Sequence, residues 1–182
     1  MFVSSLFTKG CSFLTSLILI RILSPDEFGV LSYVLSALAF FIPFSGAGMQ
    51  HSFLRFAPML VDKENRIGLF QHSLYRGLLF SFCIAFVLFL LTPWLNSAVG
   101  NTSIYFNWLI FYLFSFFLIE LVKMRYRVDN QNKKYAGIDV YLSALVLCFG
   151  TGLAYLYGPL AYVIVFVTAP LVLGLVHIKL PV

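Results

Sequence analysis

Apolar residues in this chain are gathered into long runs separated by short polar connections. Six runs stand out, over residues 3–23, 28–47, 69–95, 104–122, 138–157 and 160–178, each with 18 or more mostly apolar positions. About 20 residues at a rise of about 1.5 Å each cross the roughly 30 Å hydrocarbon core of a bilayer. Backbone groups in lipid must find partners inside their own segment, so each run is predicted to be a helix. The expected fold is an all-α integral membrane protein: six transmembrane helices in one bundle, as a single membrane domain over residues 1–182. The last two runs are parted only by Gly158 and Pro159, which predicts a tight helical hairpin.

The first run carries polar positions in register. At roughly 100° per residue, Ser5, Lys9, Ser12 and Ser16 fall on one stripe, Thr8 and Thr15 flank it, and Arg21 points nearly the opposite way. An intramembrane lysine is costly unless it meets a partner or a wet cavity, so the stripe is expected to face the bundle interior. The plainer reading is that Lys9 snorkels to the near interface, as Arg21 does at the far one. In the second run Gly29, Ser32, Ser36 and Ala39 form a narrow small-residue groove suited to close helix approach. Pro43 and Ser45-Gly46-Ala47-Gly48 then interrupt it. A broken helix of this kind points to a transporter site, or simply marks a helix ending at the membrane boundary.

A polar connection is expected over residues 49–68. Gln50-His51-Ser52-x-x-Arg55 recurs as Gln71-His72-Ser73-x-x-Arg76, which coincidence explains well enough. Between the third and fourth runs no charge occurs; Trp94 and Trp108 mark an outer interface, and Asn101-Thr102-Ser103 matches a glycosylation pattern. Glu120 is expected to pair with Lys123, three residues on; a proton-coupling carboxylate is the sharper alternative. Asp139 is expected to favour its helix N-terminus, Gly150 and Gly152 to allow close packing, and Pro170 with Gly174 to invite a kink.

Composition agrees with a membrane solvent: 61% of residues are hydrophobic and 10% charged, with mean hydropathy +0.95. The net charge of +5 therefore reads as basic loops, and no nucleic-acid partner is expected. With a cytoplasmic N-terminus, eleven of the twelve Lys and Arg residues fall on the cytoplasmic side and Arg21 alone on the other, so both termini are expected to be cytoplasmic. The densest basic stretch, 123–134, suits anionic lipid head groups. Cys11, Cys83 and Cys148 lie singly inside apolar runs and read as buried structural thiols. No cleavable leader is evident, and the first span is expected to act as an uncleaved anchor. There is no phosphate loop, nucleophile elbow, zinc-spaced set or aqueous carboxylate pair, so neither an enzyme nor a cofactor is expected.

The run Lys9-Gly10 through Ile20-Arg21-Ile22-Leu23-Ser24-Pro25-Asp26-Glu27-Phe28-Gly29, followed by Gly48 and Arg55-Phe56-Ala57, resembles a known family. It is similar to the N-terminal region of bacterial polysaccharide-biosynthesis membrane proteins. These are the O-antigen and exopolysaccharide repeat-unit flippases of the multidrug/oligosaccharidyl-lipid/polysaccharide exporter superfamily. An R-x-L-x-P-x-E-[FY]-G element carries the likeness; across all six spans the rest is hydropathy and loop charge. The resemblance implies two six-helix bundles around a cavity open alternately to either side of the bacterial inner membrane. This chain supplies one bundle's worth, so a second six-helix chain or half is the implied partner, unless the copy is truncated or split. The implied cargo is a polyprenyl-diphosphate-linked oligosaccharide. Cations would meet its diphosphate, and the chain offers Arg21, Arg55, Lys9 and Arg76; Ser12 and Ser16 would meet sugar hydroxyls. Alternatives are a drug/cation antiporter of the same superfamily, a membrane glycosyl- or acyltransferase, and a non-catalytic subunit of a polysaccharide assembly complex.

Overall fold

A computed structural model describes the backbone of residues 2–99 and 103–178, and the side chains of 4–95 and 103–178. Helix α1 (Phe2–Ile22) gives way to α2 (Pro25–Phe41) through a two-residue turn. The acidic turn is a capping box: the Glu27 amide donates to Ser24 Oγ (3.3 Å), and the Ser24 amide donates to the Glu27 carboxylate (3.0 Å). Pro25 opens the helix, where its missing N–H costs nothing. The family-like Ser24-Pro25-Asp26-Glu27 element is thus a helix start with a physical purpose.

Beyond α2 the chain tightens into a 3₁₀ segment, Ile42–Gly48, and left-handed backbone at Gly46 (φ 70°), Ala47 (φ 47°) and Gly48 (φ 75°) breaks the helix. Helix α3 (Met49–Phe56) and a short 3₁₀ turn, Ala57–Met59, follow. Helix α4 runs Lys63–Val99 and α5 runs Ser103–Val128. The connection predicted over 49–68 is therefore mostly helical. Its polarity misled, because α3 buries Gln50, Phe53 and then Ala57 at helical spacing while His51, Ser52 and Arg55 stay exposed. A left-handed Asn130 (φ 56°) closes α5, with the Gln131 amide bonded back to Tyr126 O at 2.8 Å. Helix α6 (Asn132–Leu145), a π-helical segment Val146–Gly150, and α7 (Thr151–Tyr157) together make one span. Gly158 (φ 81°, ψ −172°) alone connects it to α8 (Pro159–His177). In all, six stretches among the described residues are long and apolar enough to cross a membrane.

Helix α5 is the centre of the bundle and packs against α2, α3, α4, α6 and α8. One apolar cluster joins Leu19, Leu31, Leu88, Leu109 and Val163 around its first half. A second, with Phe53, Phe70, Leu121 and Met124, and a third, with Ile119, Val122 and Ile138, lie toward the basic end. Phe117, fully buried, is the knob between α4 and the broken segment. A methyl placed on Gly77 would stand 1.9 Å from the Phe117 ring, and one on Gly46 2.2 Å from it. Only glycine leaves that hole.

Several expectations change here. The side of α1 turned into the bundle is Cys11, Thr15 and Leu19, while Ser5, Lys9, Ser12 and Ser16 are exposed on its shoulder. Thr15 tolerates burial because its hydroxyl donates to Cys11 O at 2.8 Å; Lys9 has no such local solution. In the α2 groove Gly29, Ser36 and Ala39 are exposed and Ser32 is half-buried, for α2 buries Leu31, Val34 and Leu38 on the other side. Gly150 does approach Tyr162 closely, whereas among the described residues nothing would lie within 4 Å of a methyl on Gly152. Cys11 is buried, but Cys83 and Cys148 are exposed on the apolar surface. Asp139 lies two turns inside α6, too deep to interact with its N-terminus. Asn101 and Thr102 of the glycosylation pattern lie outside the described residues.

Candidate functional site

Where α1, α5, α6 and α8 diverge, they leave a cavity of ≈ 310 Å³. Its α1 wall carries Thr8, Ser12, Thr15 and Ser16; Ser143 faces them from α6, and Tyr112 and Tyr162 stand on α5 and α8. The volume is at the small end of ligand-binding pockets. The π-helical segment begins at Val146, in the same wall. Such bulges widen a helix where a cavity needs room.

The short hydroxyls all spend their protons on their own helices. Thr8 donates to Ser4 O (2.9 Å), Ser12 to Thr8 O (3.0 Å), Ser16 to Ser12 O (3.2 Å) and Ser143 to Asp139 O (2.8 Å). Their oxygen lone pairs remain to accept hydrogen bonds. The tyrosine hydroxyls supply donors, and neither has a hydrogen-bond partner among the described residues. Phe166 stacks on Tyr112 at 4.6 Å and on Tyr162 at 5.9 Å, giving one flat aromatic side. A hydroxyl-rich ring compound suits this lining: acceptors from α1 and α6, donors from α5 and α8, and an aromatic face for its C–H side.

The candidate residues divide between two environments. Ser12 and Ser16 line the cavity. Lys9, Arg21, Arg55 and Arg76 do not; each is exposed on the bundle surface. Arg21 occupies the last turn of α1, where a cation favours the helix C-terminus. Arg55 lies 5.8 Å from the ring of its neighbour Phe56. The two Gln-His-Ser-x-x-Arg copies are turned differently, since Gln50 is buried and Gln71 exposed, but Ser52 is exposed and Ser73 buried. The histidines and arginines are exposed in both copies, so the environments differ at the Gln and Ser positions.

Deeper toward the basic end, Lys123 is buried at 8% exposure between two carboxylates. Its Nζ lies 2.5 Å from Glu120 and 2.9 Å from Asp139. The first contact follows from helical spacing; the second ties α5 to α6 and depends on the turn between them. Sequence reasoning missed Tyr112, Tyr162 and Ser143 in the cavity. The only hint was that a tyrosine within an apolar span needs some partner for its hydroxyl.

Comparison with known families places these observations. A family model described as polysaccharide biosynthesis protein matches residues 1–178. No curated protein and no solved structure matches the chain. With nearly its whole length matched, the chain belongs to the polysaccharide biosynthesis protein family.

Proposed function

We propose that this multi-pass member of the polysaccharide biosynthesis family is a transporter, not an enzyme. It moves a polyprenyl-diphosphate-linked oligosaccharide across the bacterial inner membrane for O-antigen or exopolysaccharide assembly. The hydroxyl-lined cavity within a six-helix bundle carries this reading. Its volume suits part of a repeat unit, so the path is completed by a second six-helix bundle against the exposed shoulder of α1. Lys9 lies on that shoulder. It supplies charge for the diphosphate, with Arg21, Arg55 and Arg76 contributing from the bundle surface.

Deleting the gene should leave complete lipid-linked repeat units accumulating while surface polymer falls. Accumulation of units lacking a sugar would point instead to a transferase. Tyr112→Phe with Tyr162→Phe removes both cavity donors. At roughly 1 kcal/mol per hydrogen bond, transport should drop about thirtyfold at equal expression. Wild-type polymer from that double variant would take the cavity off the path.

Both termini are proposed to be cytoplasmic. A membrane-impermeant thiol reagent added outside should label Ser97→Cys, whose side chain lies outside the described set, and spare Lys133→Cys, in a background lacking native cysteines. The opposite pattern would invert the topology.

A further inference from the structure

A second cavity, of ≈ 210 Å³, opens where the first turn of α4 meets the last turn of α5, at the basic end of the bundle. Its floor is apolar: Phe53 and Phe70 are each 3% exposed, their rings edge to face at 5.5 Å. Lys63, Arg66 and Arg125 line it, against a single carboxylate, Asp129. Two of these cations are held in place. Arg66 donates from Nε to Leu60 O at 2.9 Å, and the Arg125 guanidinium lies 5.2 Å from the centroid of the Phe70 ring.

Lys63 and Arg66 bring two cations to an apolar floor, against one carboxylate in the lining, Asp129. A guanidinium fixed through its Nε, as that of Arg66 is, with a nearby ammonium matches the oxygens of a phosphate. The segment leading into α4 is apolar and exposed, with Phe56, Met59 and Val61 at 50%, 69% and 93%. Apolar side chains beside a cationic cavity are what a head group with its acyl chains would meet at the membrane surface.

We propose that this cavity binds a phosphate group, presented by an anionic lipid such as phosphatidylglycerol or by a soluble phosphate. The site shares no residue with the hydroxyl-lined cavity and stands independently of the transport reading.

The test uses the whole chain in phosphatidylcholine nanodiscs, with phosphatidylglycerol mixed in for one arm and inorganic phosphate added for the other. Affinity is read from the ligand-dependent rise in melting temperature. The double variant Lys63→Gln/Arg66→Gln should weaken binding about thirtyfold, while Arg127→Gln/Lys133→Gln, an equal charge loss away from the cavity, should change it less than twofold. Asp129→Asn should tighten binding about fivefold, a direction that no folding defect imitates. A response to phosphatidylglycerol alone assigns the site to lipid, and one to inorganic phosphate alone assigns it to a soluble ligand. Equal losses in the two double variants, or no tightening in Asp129→Asn, would overturn the proposal in favour of diffuse surface attraction.

Discussion

Lys123→Met is expected to destabilise the bundle by about 3–5 kcal/mol, the usual cost of removing one member of a buried ion pair. The ammonium lies between Glu120 and Asp139, at 2.5 and 2.9 Å, and Lys123 is 8% exposed. Without it two partly buried carboxylates lose the ammonium that pairs them. The methionine stem fills much of the lysine's volume, so the loss would be electrostatic more than steric. Adding Glu120→Gln and Asp139→Asn should recover most of the stability, since neutral groups of similar shape replace buried ion sets at little cost. Thermal unfolding in one detergent at one pH measures both. A single variant as stable as the wild type would mean that water reaches the triad freely. A triple variant no better than the single one would mean that packing of the lysine stem matters instead.

The second large effect concerns Phe117. Its ring fills the space left by two glycines on different segments, Gly46 in the break and Gly77 in α4. Phe117→Ala should cost about 3–5 kcal/mol, from lost contacts and the void left behind. Gly77→Ala alone should cost about 1–3 kcal/mol by overpacking, because the added methyl falls within the ring. The informative measurement is the cycle. In the Phe117→Ala background, Gly77→Ala should be nearly neutral, since the methyl then enters an empty space. Additive losses would show that the two positions do not share it. The same wedge explains why the helix break is ordered: Ser45 donates to Leu113 O at 2.8 Å beside it, so the bend is fastened to α5.

Much of the architecture could be read from residue order. Runs of bilayer length gave six spans, and Gly46 with Gly48 marked the break. Glu120 and Lys123, three apart, announced half of the charge triad. The other half, Asp139, could not be inferred, because its approach to Lys123 depends on how Asn130 and Gln131 turn the chain between α5 and α6. Facing was harder still. In water a buried helix side is apolar and the other polar, whereas in lipid both are apolar, so hydrophobic periodicity cannot tell packing from solvent. Leu31, Val34 and Leu38 are buried on α2, yet Phe40 on the same helix is 67% exposed. Polar residues were a better but imperfect guide. Ser12 and Ser16 do reach a cavity, while Lys9, on the same stripe, stays on the surface. Tyr112 and Tyr162, 50 positions apart, meet across Phe166 only once α5 and α8 are packed.

The single-residue link at Gly158 bears on how the protein is made. Its backbone angles, φ 81° and ψ −172°, suit glycine and almost nothing else. Nothing hydrophilic separates α7 from α8 to wait outside while the first of them settles. With no polar link to hold one of them back, the two spans are expected to enter the bilayer together as a hairpin.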